Sequence, residues 1–233
     1  MRYYEYSVNQ LEDKATELLI EFDKERLKKT KPLDVYEVIE KCLGVPYDWK
    51  YLTPDQSVLG ATAFSDGYFW AWPESTYREG MMPYKVGVKK GTILIDATLT
   101  ESDNRGRENF TVMHEVFHQK LHKKCFRDEG RNYMHQTYSR TIEGNIRCAS
   151  YAMKIIEYQA NACAAAFLMP ADLTKQIYED RYRSAGLIAR LNYGFMWNLI
   201  KDMAEEFNVS KQAMSYRLQN LGLINENEEN LLI

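Results

Sequence analysis

The amino-acid sequence predicts an α+β fold, in which a small, mainly antiparallel sheet packs on a pair of helices and both ends of the chain are helical. Three observations predict it. Apolar residues recur at helical intervals from Ser7 to Cys42. Between Val58 and Ile95 the pattern changes to short stretches rich in aromatic and β-branched residues, punctuated by glycine turns. From Arg107 onward the helical period returns. With 233 residues, 45% hydrophobic and 27% charged, the chain is long enough for one sizeable core, and its composition excludes extensive disorder.

Taken in order, Ser7 is suited to cap a helix that repeats Leu11, Ala15, Leu18, Leu19 and Phe22. Pro32-Leu33-Asp34 opens a second helix, Val35 to Cys42, which stops at Leu43-Gly44-Val45-Pro46. Strands are expected at Val58 to Phe64, Tyr68 to Trp72, Lys85 to Val88 and Thr92 to Ile95, with turns at Ser65-Asp66-Gly67 and Lys89-Lys90-Gly91. Thr92 to Asp96 is the candidate sheet edge, and Trp70 and Trp72 share a strand face and read as core. The expected organisation is amino-terminal helices in 1–55, a core in 56–182 and a carboxy-terminal helical region in 183–233.

Chemistry concentrates at residues 109–122, which contain His114-Glu115-Val116-Phe117-His118. Residues four apart on a helix stand on one face, so the two imidazoles can converge on one metal ion, with Glu115 beside them as a general base. Phe110, Met113, Phe117 and Leu121 form a separate apolar stripe. A catalytic zinc takes three protein ligands and a water, and the third candidate is Glu157. It is a lone carboxylate in a helix-forming, alanine-rich segment that ends at Pro170. Asn161, one turn further on, is placed to hydrogen-bond a ligand imidazole and fix its tautomer. His122 continues the histidine face but lies about 6 Å further along a straight helix, too far for the same tetrahedral site. It reads as a support to a ligand or as solvent-facing.

Arg107-Glu108-Asn109-Phe110-Thr111 leading into the histidine motif, with Glu157-x-x-Ala160-Asn161 followed by Ala164-Ala165 and Leu168-Met169-Pro170, resembles the ImmA/IrrE family of metallopeptidases. The resemblance is anchored on residues 107–170. It implies a zincin-like metallopeptidase core, Zn2+ as cofactor, His114, His118 and Glu157 as its ligands, and Glu115 as the catalytic glutamate. It also implies a protein substrate, a DNA-binding transcriptional repressor cleaved at a specific site. Two features depart from the family pattern. Phe117 stands where glycine is common, either crowding the cleft or filling a core pocket. Thirty-eight residues separate His118 from Glu157, and Lys123 to Cys148 reads as an insertion. His135, Tyr133, Tyr138 and Tyr151, in or beside that insertion, are candidate donors to the tetrahedral oxyanion. A second metal site from Cys125, His135 and Cys148 matches no usual zinc spacing.

Cys42, Cys125, Cys148 and Cys163 form no CxxC pair, and the amino terminus lacks the apolar run of a secretion signal. These features place the protein in the reducing cytoplasm with free thiols, with no membrane span. A net charge of -3 and a pI near 5.9 provide no global field for nucleic acid. Met203 to Leu218 resembles a helix-turn-helix, in which Ser210 caps the second helix and Lys211, Gln212, Ser215, Tyr216 and Arg217 would face a groove. Glu205 and Glu206 would repel phosphate there. The expected function is zinc-dependent endopeptidase. The alternative is a regulatory module that binds DNA or a repressor through its carboxy-terminal helices without proteolysis.

Overall fold

The sheet in this computed structural model is built around β2 (Val58–Ala63), in which every residue is buried. A strand with no exposed residue must be covered on both faces. Its pleat turns Gly60 and Thr62 toward the helices, and Ala61 and Ala63 toward a hairpin. Residues 3–101, 105–126, 134–138, 151–190 and 194–225 are described.

β2 runs antiparallel to both its neighbours, β5 (Ile93–Asp96) and β6 (Met134–Tyr138), with a register shift against β6 between Val58 and Gly60. β1 (Tyr47–Lys50) pairs parallel with the far side of β5, giving the order β1-β5-β2-β6. The hairpin of β3 (Gly67–Ala71) and β4 (Tyr84–Val88) is a separate sheet that packs Phe69, Ala71 and Val88 on Val58, Ala61, Ala63 and Leu94.

Two expectations are corrected here. Thr92 to Asp96 is not an edge, because β1 flanks it; Asp48 and Lys50 in that short segment hide the strand pattern. Trp70 is not core. It is 47% exposed on the outer face of the hairpin, beside Tyr68, with the Lys85 ammonium over both rings. Part of the stretch read as an insertion supplies β6, which is an edge of the sheet among the described residues.

Helix α1 (Val8–Asp23) starts at Ser7 with a full capping box to Gln10. α2 (Val35–Val38) runs on as a π turn to Leu43. After the short α3 (Thr98–Glu101), α4 (Arg105–Phe117) carries the histidine motif and ends in a π turn, His118–His122. α5 (Tyr151–Leu168) carries Glu157 and stops before Pro170. α6 (Ala171–Ser184), α7 (Gly186–Arg190), α8 (Phe195–Phe207) and α9 (Lys211–Asn220) follow. One core joins α1, α4, α5, α8 and α9 to the helix-facing side of the sheet. Phe117 fills a pocket in it, 1% exposed and edge-on to Phe167 at 6.2 Å, so it does not crowd a cleft.

The helix-turn-helix-like end is docked on α4. Asn208 takes a left-handed φ of 53° and closes α8, and the Ser210 hydroxyl accepts from Ala213 N–H at 3.1 Å to start α9. The turn between them rests on Gly106, and Asn109 Nδ2 donates to the Asn208 carbonyl at 3.0 Å. Lys211 and Gln212 are exposed and Tyr216 is 38% exposed, but Ser215 and Arg217 are buried, contrary to the expected groove face. Arg217 turns inward because Glu12 and the Met169 carbonyl await it.

A Cβ at position 106 would stand 2.4 Å from the Val209 carbonyl carbon and 2.6 Å from the Ser210 nitrogen, both backbone atoms that cannot rotate away. Gly106→Ala is therefore expected to cost about 2 kcal/mol, lowering Tm by about 4–8 °C in a calorimetric scan.

Candidate metal centre

The π turn that ends α4 and the start of α5 bring the expected ligands together. His114 Nε2 and His118 Nε2 lie 2.7 Å apart, and the Glu157 carboxylate reaches them at 3.3 and 3.4 Å. One donor atom from each of these three residues falls within 4.8 Å of the others, the one such cluster among the described residues. The histidines are buried, at 2% and 0% exposure, while the Glu157 side chain is 32% exposed. The site therefore opens to solvent on the Glu157 side.

Hydrogen bonds behind the rings decide which nitrogens face inward. Asn161 Oδ1 lies 2.9 Å from His114 Nδ1 and accepts its proton, as the sequence suggested. His118 Nδ1 meets His122 Nδ1 at 3.0 Å, so His122 is buried against a candidate ligand and does not face solvent. His114 thus spends Nδ1–H outward and, as a neutral ring, directs its Nε2 lone pair at His118 Nε2 and at a carboxylate. Side chains converging in this way could hold a cation, and two imidazoles with one carboxylate suit zinc among other divalent metals. A proton feels the same field. Burial opposes the His114 imidazolium, yet the hydrogen bond and charge of Glu157, the Glu115 charge and Asn161 outweigh it and raise the His114 pKa. Proton and metal therefore compete for Nε2.

Glu115 is fully buried against β2. The Thr62 hydroxyl donates to its Oε2 at 2.5 Å, and a Cβ on Gly60 would come within 2.5 Å of Oε1 and 2.9 Å of Cγ. Neither residue was singled out from the sequence, and a strand buried on both faces gives no local signal of what either face meets. Gly60→Ala should displace the Glu115 carboxylate while leaving the histidines in place. The expected result is about a hundredfold loss of any Glu115-dependent rate with metal affinity unchanged, checked by chelator competition beside a kinetic assay.

Of the candidate oxyanion donors, Tyr151 is 69% exposed at the start of α5. Tyr133, and the side chains of His135 and Tyr138, lie outside the described residues, as does Cys148. Cys42, Cys125 and Cys163 are free thiols, and burial pushes Cys163 up to about 12.

The family model described as the IrrE N-terminal-like domain, Peptidase_M78, matches residues 82–219, more than half of the chain. The chain belongs to this peptidase family. No curated protein matches it. The matched Peptidase_M78 span covers α4 and α5 with the whole candidate cluster, and also the helices of the carboxy-terminal end through Gln219. It begins after β3, so Glu12, Gly60 and Thr62 stand outside it. Among the described residues no helix is long and apolar enough to cross a membrane.

Proposed function

We propose that this protein is a zinc-dependent endopeptidase of the cytoplasm whose substrate is a DNA-binding transcriptional repressor. The observation that carries the reading is the convergence of His114, His118 and Glu157 on one point, open on the carboxylate side, with Glu115 alongside. Three ligands and an accessible position are what a hydrolytic site needs, whereas a structural zinc is closed by four.

A divalent cation held there would supply Lewis acidity, polarising the scissile carbonyl and making water a stronger acid. His114 and His118 present fixed lone pairs, and Asn161 and His122 hold their rings in register. Glu115 takes the proton of the attacking water on a carboxylate oxygen and returns it to the leaving amine nitrogen. Thr62 fixes the plane of that carboxylate through Oε2. Strand addition at β6, the sheet edge next to β2, would hold an extended substrate with little dependence on its side chains.

The regulatory alternative loses support from the placement of the helix-turn-helix-like end, whose turn is packed on Gly106 and whose Arg217 is paired internally. Mixing metal-loaded protein with DNA-binding repressors of the same cell, followed by mass spectrometry, tests the proposal. One new pair of fragments, abolished by chelation, is expected. An intact repressor bound stoichiometrically to the protein would favour the regulatory alternative.

A further inference from the structure

The geometry points to a hydrogen-bonded relay, His118 to His122 to Gln159 to the Tyr4 carbonyl, as the device that sets the tautomer and angle of one metal ligand. The inference rests on the proposed metal site and assigns His122 and Gln159 as positioning residues.

The relay can be followed from its far end, where the chemistry has one solution. Gln159 Nε2 donates to the Tyr4 carbonyl at 2.6 Å, because a carbonyl oxygen only accepts. That orientation turns the other end of the amide, Oε1, toward His122 Nε2 at 3.0 Å. Oε1 also only accepts, so His122 carries its proton on Nε2 and a lone pair on Nδ1. Nδ1 then accepts from His118 Nδ1–H at 3.0 Å, and His118 is left with its lone pair on Nε2, the atom that faces Glu157. With both rings neutral, each step follows from the one before. Four groups from three separate parts of the chain agree on one protonation pattern.

Burial gives the relay its force. His118, His122 and Gln159 are 0%, 1% and 2% exposed, so water does not compete for these bonds. A buried glutamine and a third buried histidine would be costly in an apolar core unless each polar atom had a partner. The π turn at His118–His122 is the local feature that accompanies the contact between the two Nδ1 atoms, and single π turns are frequent at functional sites. Tyr4 belongs to the segment before Ser7, which caps α1. The metal ligand is therefore tied to the start of the chain as well as to α5.

The test compares His122→Phe, which keeps a ring and removes the acceptor, with His122→Gln, whose Oε1 can accept from His118 and whose Nε2 can donate to Gln159. Zinc affinity of the full-length protein is measured by chelator competition, and long-range nitrogen-15 spectra report the histidine tautomers. His122→Phe is expected to bind zinc about 10–100-fold more weakly, with His122→Gln restoring most of the loss. In the wild type, His122 should show protonated Nε2 and bare Nδ1. Equal zinc affinity in His122→Phe and wild type, or a protonated Nδ1 on His122, overturns the relay. Should His122→Phe fail to fold, Gln159→Leu and the wild-type tautomer decide the matter in the same way. A wild type that binds zinc tightly but cleaves no repressor would refute the peptidase proposal and leave the relay standing.

Discussion

Glu115→Gln is expected to keep its metal and lose roughly a thousandfold in peptide hydrolysis, as removal of a general base does. The amide has nearly the shape of the carboxylate and can still meet the Thr62 hydroxyl, so β2 and α4 should stay together. It cannot take a proton from water. His118→Ala separates the two roles from the other side. It removes one of the three proposed ligands and the inner end of the proposed relay, and should lose both metal and activity. Inductively coupled plasma analysis beside a cleavage assay distinguishes the variants. Hydrolysis by Glu115→Gln at the wild-type rate would remove Glu115 from the chemistry.

The largest effect on stability is expected at Glu12, far in sequence from the metal motif. Arg217 is 4% exposed and is held by both Glu12 oxygens, at 2.5 and 2.9 Å, while its Nε donates to the Met169 carbonyl at 2.9 Å. Glu12→Ala leaves a guanidinium buried with one carbonyl for company. Stranding a buried charge by removing its partner costs about 3–5 kcal/mol, which for a chain of this length lowers Tm by about 6–20 °C. The double variant Glu12→Ala with Arg217→Met should recover most of that loss, because it removes the stranded charge along with its partner. Thermal scans of the single and double variants decide it. If both lost equally, the pair would matter through packing alone. The same bond clamps α9 to α1 and Met169 at the end of α5, and so ties the helix-turn-helix-like end to the helix that carries Glu157.

Most of the candidate site's geometry was legible because it obeys helical spacing. His114, His118 and Glu157 come together as the four-residue step and the downstream helix require, and Asn161 meets His114 from one turn beyond Glu157. The strands β2 to β5 were visible in their β-branched and aromatic runs. β1 and β6 were not, since one is short and polar and the other lies inside a charged, tyrosine-rich stretch. Missing β1 made β5 look like an edge. Arg217 was misplaced for a different reason. Its helix does follow a capped turn, but which face a helix buries depends on a partner, and Glu12 lies 205 positions away. Gly60 and Thr62 escaped notice likewise, because their importance comes from a carboxylate on another element.

X-ray absorption at the metal edge of the freshly purified, full-length protein tests the site most directly. The expected spectrum shows two imidazole nitrogens with oxygen completing the inner shell at about 2.0–2.2 Å, no sulfur, and loss of the imidazole signal in His118→Ala. A sulfur shell near 2.3 Å, or an oxygen-only shell indifferent to His118→Ala, would place the metal elsewhere and contradict the assignment of His114, His118 and Glu157.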